Sequence, residues 1–170
     1  GGAGRRARDA FREAAQAAQR MAQHVADALK SMREMTDVVS EWGEIHIRFG
    51  FVGKGLKELE AARERWAQIA REAWRWQRYY QNLAVQFARM GRLREARQAW
   101  QIAWQFNKQA AEAWEKVYQL EQRIKELKIF KPLEEGERWV RWFGRLREFY
   151  ERIGVPGMAE AAWQQQANWA

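Results

Sequence analysis

Apolar residues recur at alternating steps of three and four at Phe11, Ala14, Ala18, Met21, Val25, Ala28, Met32, Met35 and Val39. A seam with this period stays on one side of the chain only if the chain is helical, because 3.6 residues complete an α-helical turn. Four heptads of it predict a long helix over about residues 5–39, the strongest constraint the sequence offers. The N-terminal half of the seam is built from alanine, which allows a partner to come close. Arg5, Arg6, Arg8, Arg12 and Arg20 fall on its flanks.

The same spacing returns at Leu56, Leu59, Ala62, Trp66, Ile69, Ala73, Trp76, Tyr80, Leu83, Phe87 and Met90, predicting a helix over 56–90 that Gly91 ends. A further helix is expected from Leu93 to Leu127, with Ala96, Trp100, Ala103, Ala110, Trp114, Val117 and Ile124 on its inner face. Pro132 is expected to break the pattern, and Glu134, Glu135 and Glu137 favour a new helix N-terminus through the macrodipole. That helix is expected to reach Ile153, and Gly154–Gly157 reads as a turn before a last short helix ending in Trp169. Residues 40–55 admit two readings. Ile45, Ile47, Phe49 and Phe51 alternate as in a strand, whereas Trp42, Ile45, Phe49 and Val52 fit a helix. Gly43, Gly50, Gly53 and Gly55 argue for a bent connector in either case. The expected fold class is all-α. A basic N-terminal helical arm (1–39) and a Gly-rich connector (40–55) precede an elongated bundle of about four helices with antiparallel hairpins (56–170).

Several function classes are excluded or left without support. The chain has no cysteine, so disulfides, thiolate catalysis and Cys-based zinc sites are out. No run of about 18 apolar residues occurs, so no membrane span is expected, and no secretory h-region is read at the N-terminus. The two histidines, His24 and His46, lack metal-binding spacing, and no Glu-x-x-His occurs. Gly53-Lys54-Gly55 lacks the leading glycine spacing and the Ser/Thr of a phosphate loop. The expectation is therefore a non-enzyme without a cofactor. A helical protein that holds haem or a small apolar ligand through His24 or His46 remains an alternative.

Charge points to a polyanionic partner. The chain carries +8 overall, and residues 71–108 alone carry eight basic side chains against Glu72 and Glu95. With Ile69, Ala73, Trp76 and Tyr80 as the core seam, Arg71, Arg75, Arg78, Asn82 and Arg89 occupy the opposite face for roughly 27 Å. Arginine suits phosphate because its guanidinium is forked and weakly hydrated, and the chain uses 22 Arg to 8 Lys. The nucleic-acid candidates are Arg5, Arg6, Arg8, Arg12, Arg20, Arg71, Arg75, Arg78 and Arg89. Trp66, Trp76, Tyr80, Phe87, Trp100 and Trp114 are expected in the core. Trp74, Tyr79, Trp104 and Trp169 are candidates for an assembly interface, with base stacking as the alternative for the first three.

Tyr80, Leu83, Ala84, Phe87, Gly91, Ala96, Trp100 and Ala103 fall in the order of the tetratricopeptide signature, and residues 77–114 resemble one such hairpin. Ala111–Trp114 looks like the opening of a next unit, although Lys108 replaces the usual Pro, and Glu121 and Lys125 replace the expected aromatic and Gly. The resemblance implies a helical protein-interaction module. In general plan, over residues 1–128, the chain resembles the major coat proteins of filamentous, DNA-containing archaeal viruses, which are all-helical with basic N-terminal helices. That resemblance is one of architecture and transfers no site residues. It implies a self-assembling subunit that wraps duplex DNA through its backbone, located in a virion or an intracellular nucleoprotein.

Overall fold

A computed structural model describes the backbone of residues 1–169, and their side chains except those of residues 130–135, 156 and 169. Four helices and no strands occur among the described residues: α1 (Gly2–Arg48), α2 (Val52–Arg89), α3 (Leu93–Arg152) and α4 (Pro156–Trp169). Along the backbone α3 is one helix from Leu93 to Arg152, without the break expected at Pro132. Two compact units divide the chain, Gly1–Gln122 and Arg123–Ala170. In the first, α1, α2 and the first part of α3 pack as an antiparallel bundle. In the second, the rest of α3 and α4 form a hairpin through a turn at Gly154.

The connector is shorter than the sequence suggests. Residues 40–48 continue α1, and only Phe49–Phe51 separate it from α2. Neither a strand nor a sixteen-residue linker forms, and residues 1–39 belong to the same compact unit as α2 rather than to a separate arm. The helix continues because Gly43 is a packing residue, not a break. A Cβ on Gly55 would lie 2.5 Å from the Gly43 carbonyl oxygen and from Ile47 Cγ1, so the two helix backbones touch there. The turns at Gly50, Gly91 and Gly154 share one closure. Each glycine has a left-handed φ (89°, 74° and 73°), and the next residue's N–H bonds a carbonyl five positions back: Phe51 to His46, Arg92 to Phe87, Val155 to Tyr150.

The expected α2 seam is buried along most of its length, but one of the two expected rows is displaced by one residue on α1 and on α3. On α1 Phe11, Ala18, Val25 and Val39 face inward as expected, but Met32 of the same row is exposed. The second row is Ala15, Ala22, Leu29, Thr36 and Gly43; Ala14, Ala28 and Met35 are exposed. On α3 the inward rows are Ala96, Ala103, Ala110, Val117 and Ala99, Phe106, Ala113, Leu120; Trp100 and Trp114, expected in the core, are 46 % exposed. The cause is the distance between helices. Alanine and glycine seams on α1 and α3 let them lie close to α2, which supplies most of the bulk: Leu59, Trp66, Ile69, Tyr80 and Phe87, all buried. With that bulk supplied by α2, the inner rows of α3 are filled and Trp100 and Trp114 stay outside them. The joint is clearest at Tyr80. Its hydroxyl donates to the Ala18 carbonyl of α1 at 2.6 Å, and its ring stacks on Phe106 of α3 at 5.8 Å.

Candidate nucleic-acid interface

The α2 face opposite Ile69, Ala73 and Tyr80 carries Arg71, Arg75, Arg78, Asn82 and Arg89, and all five are exposed. Helical geometry holds them along roughly 27 Å of one helix. Their engagements are light. Arg71 reaches Glu64 at 3.3 Å and Arg75 reaches Glu72 at 3.4 Å, both solvated pairs of little net worth. Arg78 lies 4.9 Å over the Trp74 ring. Arg89 makes no ion pair among the described residues. Trp74 and Tyr79, both about half exposed, stand on either side of this row. Trp74 is tied to Arg78, and Tyr79 packs edge-on against Tyr80 at 5.1 Å. Trp104 is exposed on α3, and Trp169 lies outside the described side chains.

The N-terminal arginines do not form one face. Every residue from Gly1 to Ala10 is exposed although the segment is helical. Arg5 and Arg12 are seven residues apart and share a row. Arg8 continues the inward row of Ala15 and Ala22 beyond the point where the bundle ends. Arg6 and Arg20 share a third row, and the Arg6 Nε donates to the Gly2 carbonyl at 3.4 Å.

Arg12 instead joins residues that the sequence does not single out as a site. A hollow of about 660 Å³ is lined by Arg12, Gln16 and Gln19 of α1, by Gly91 and Arg92 of the turn, and by Arg94, Glu95 and Gln98 of α3. Glu95 is committed elsewhere. It is buried and accepts from Arg92 at 2.7 Å, and that hydrogen bond holds its carboxyl below the usual carboxylate range. Arg92 also lies over the Phe11 ring at 5.2 Å, so it is a packing residue of the turn. Arg12 and Arg94 are left as solvent-facing cations at the rim.

The two histidines do not share a site. His24 is exposed, and His46 pairs through Nδ1 with Glu58 of α2 at 2.7 Å beneath the Trp42 ring. Twenty-two residues of one helix place them roughly 33 Å apart. No metal-binding cluster occurs among the described residues, and no helix there is long and apolar enough to cross a membrane. The hairpin turning at Gly91 is present, but residues 111–114 lie in the interior of α3 rather than at a helix start.

Comparison with protein families, characterised proteins and solved structures finds no match to this chain.

Proposed function

We propose that this protein is a structural nucleoprotein subunit. It binds duplex DNA through the backbone, without sequence specificity, and packs against further copies of itself as a virion coat protein does. The single observation that carries the reading is the exposed row Arg71, Arg75, Arg78 and Arg89 on the outward face of α2. Four guanidinium groups spaced along a rigid rod suit a repeating phosphate chain, and no carboxylate on that helix is buried against them. The solvated, arginine-bearing end of α1 supplies a second cationic element.

The test is salt dependence. Affinity for a random-sequence duplex should fall linearly in log salt, and replacing Arg71, Arg75, Arg78 and Arg89 by Ala should lower the slope by about 3 to 4. No binding at about 50 mM salt, or an unchanged slope in the variant, overturns the proposal. A tetratricopeptide-like interaction module, which the hairpin at Gly91 favours, predicts no nucleic-acid affinity at all in the same titration.

A further inference from the structure

Two helix faces of the first unit are apolar and exposed, and the rim of one is acidic where the rim of the other, over its first half, is basic. On α3, Trp100, Trp104, Trp114 and Tyr118 are 46, 60, 46 and 58 % exposed. Asn107 and Ala111 complete the spacing 4, 3, 4, 3, 4, which keeps them on one face for roughly 27 Å. On α1, Met35, Val38 and Trp42 are 63, 50 and 54 % exposed at steps of three and four, and Phe49 extends the line to the turn. Each face lies beside the buried seam of its own helix, where a further helix packs.

The rims decide the occupant. Glu34, Asp37 and Glu41 border the α1 face; all are exposed and make no ion pair among the described residues. Arg94, Arg97 and Lys108 border the α3 face over its first half and are exposed, while the exposed Glu112 and Glu115 border its second half. We propose that the α3 aromatic face of one copy docks on the Met35–Phe49 face of α1 in the next copy, head to tail. The inference specifies, and rests on, the self-association in the proposed function; it does not depend on DNA binding. The α3 face is poorly suited to pairing with itself. An antiparallel match that sets Trp104 opposite Trp114 is centred on residue 109 and brings the two copies' Lys108 together.

An aromatic side chain buries roughly 150–250 Å². Four of them about half exposed therefore offer roughly 400 Å², and the α1 face offers a similar area. The total of roughly 800–1,000 Å² lies at the lower limit for a specific interface, so association should depend on concentration. Two different faces make the contact heterologous, and a heterologous contact that does not close gives an open chain of copies.

Sedimentation of the full chain without nucleic acid tests this. Wild type should grow past the dimer as concentration rises. Met35→Glu/Trp42→Glu and Trp100→Glu/Trp104→Glu should each be monomeric alone, and their mixture should stop at a one-to-one dimer, because only one sound interface remains. Far-UV circular dichroism checks folding. Glu34→Arg/Glu41→Arg mixed with Arg97→Glu/Lys108→Glu repeats the test with the apolar faces intact and should recover association that each lacks alone. Monomeric wild type overturns the proposal. So does an α1-face variant that still dimerises, a mixture of the two apolar-face variants that grows past the dimer, or a charge-exchanged mixture that stays monomeric.

Discussion

Tyr80→Phe probes the joint between the three helices of the first unit. The hydroxyl is fully buried and donates to Ala18 at 2.6 Å. That carbonyl lies in the interior of α1 and keeps its helical partner when the hydroxyl goes, so the loss is one net hydrogen bond, about 1 kcal/mol at neutral pH. The same burial, with Tyr79 beside it, pushes the Tyr80 hydroxyl from 10.0 up to about 12. The folded state therefore holds a proton that the unfolded chain releases. The resulting stability is complete below pH 10 and is lost as pH rises through 10 towards 12. Two pH units correspond to about 3 kcal/mol across the whole window, and about 1.4 kcal/mol is already gone at pH 11. Phenylalanine has no proton to lose. Urea unfolding at constant m should find wild type about 1 kcal/mol more stable than the variant at pH 8 and no more stable at pH 11. A gap that stays constant between the two pH values refutes the desolvation argument, and no gap at pH 8 refutes the hydrogen bond.

Glu95→Gln should destabilise by about 1–3 kcal/mol, because Arg92 loses its charged acceptor in a partly buried site. The depressed carboxyl makes that contribution present above the usual carboxylate range and lost as pH falls through the folded value, so the wild-type advantage in thermal melts should vanish in acid. Gly55→Ala should cost more than about 1 kcal/mol in urea unfolding, since its Cβ meets backbone that cannot rotate away; a neutral result overturns the close crossing of α1 and α2. Phe106→Ala should cost about 3–5 kcal/mol, while Trp104→Gln, two positions away, should change monomer stability by less than about 0.5 kcal/mol. Equal effects on the denaturation midpoint would place Trp104 in the core instead.

Period and charge were legible in the sequence; the choice between adjacent candidate rows was not. The outward direction of Arg71, Arg75, Arg78 and Arg89 follows from Ile69, Ala73 and Tyr80, and all three are buried. On α1 and α3 hydrophobicity favours Met35 over Thr36, Trp100 over Ala99 and Trp114 over Ala113, and the structure buries the smaller residue each time. Transfer free energy ranks side chains by area, but the closeness of two helices is set by the smallest residues that line up between them. The strict seven-residue steps of Ala15, Ala22, Leu29, Thr36 and Gly43 contain that information, though a polar Thr and a Gly disguise it. Thr36 is accommodated because its hydroxyl bonds the Met32 carbonyl at 2.7 Å. The hollow beside Arg12 had no sequence signal, since Arg12 and Arg94 meet only through the turn at Gly91.

The displaced tryptophans give the shift its functional meaning. Two rows of small residues, with Phe106 among them, already complete the inner face of α3 in the first unit. Trp100, Trp104, Trp114 and Tyr118 form two additional rows that this core does not need. Roughly 400 Å² of exposed aromatic area corresponds to at most about 10 kcal/mol of transfer free energy unrealised in a single chain. The entropy lost when two copies associate offsets much of that. The proposed contact uses faces of α3 and α1 other than the outward arginine row of α2. The proposed DNA binding and the proposed self-association would therefore not compete on one subunit. A variant of either face should lose one and keep the other.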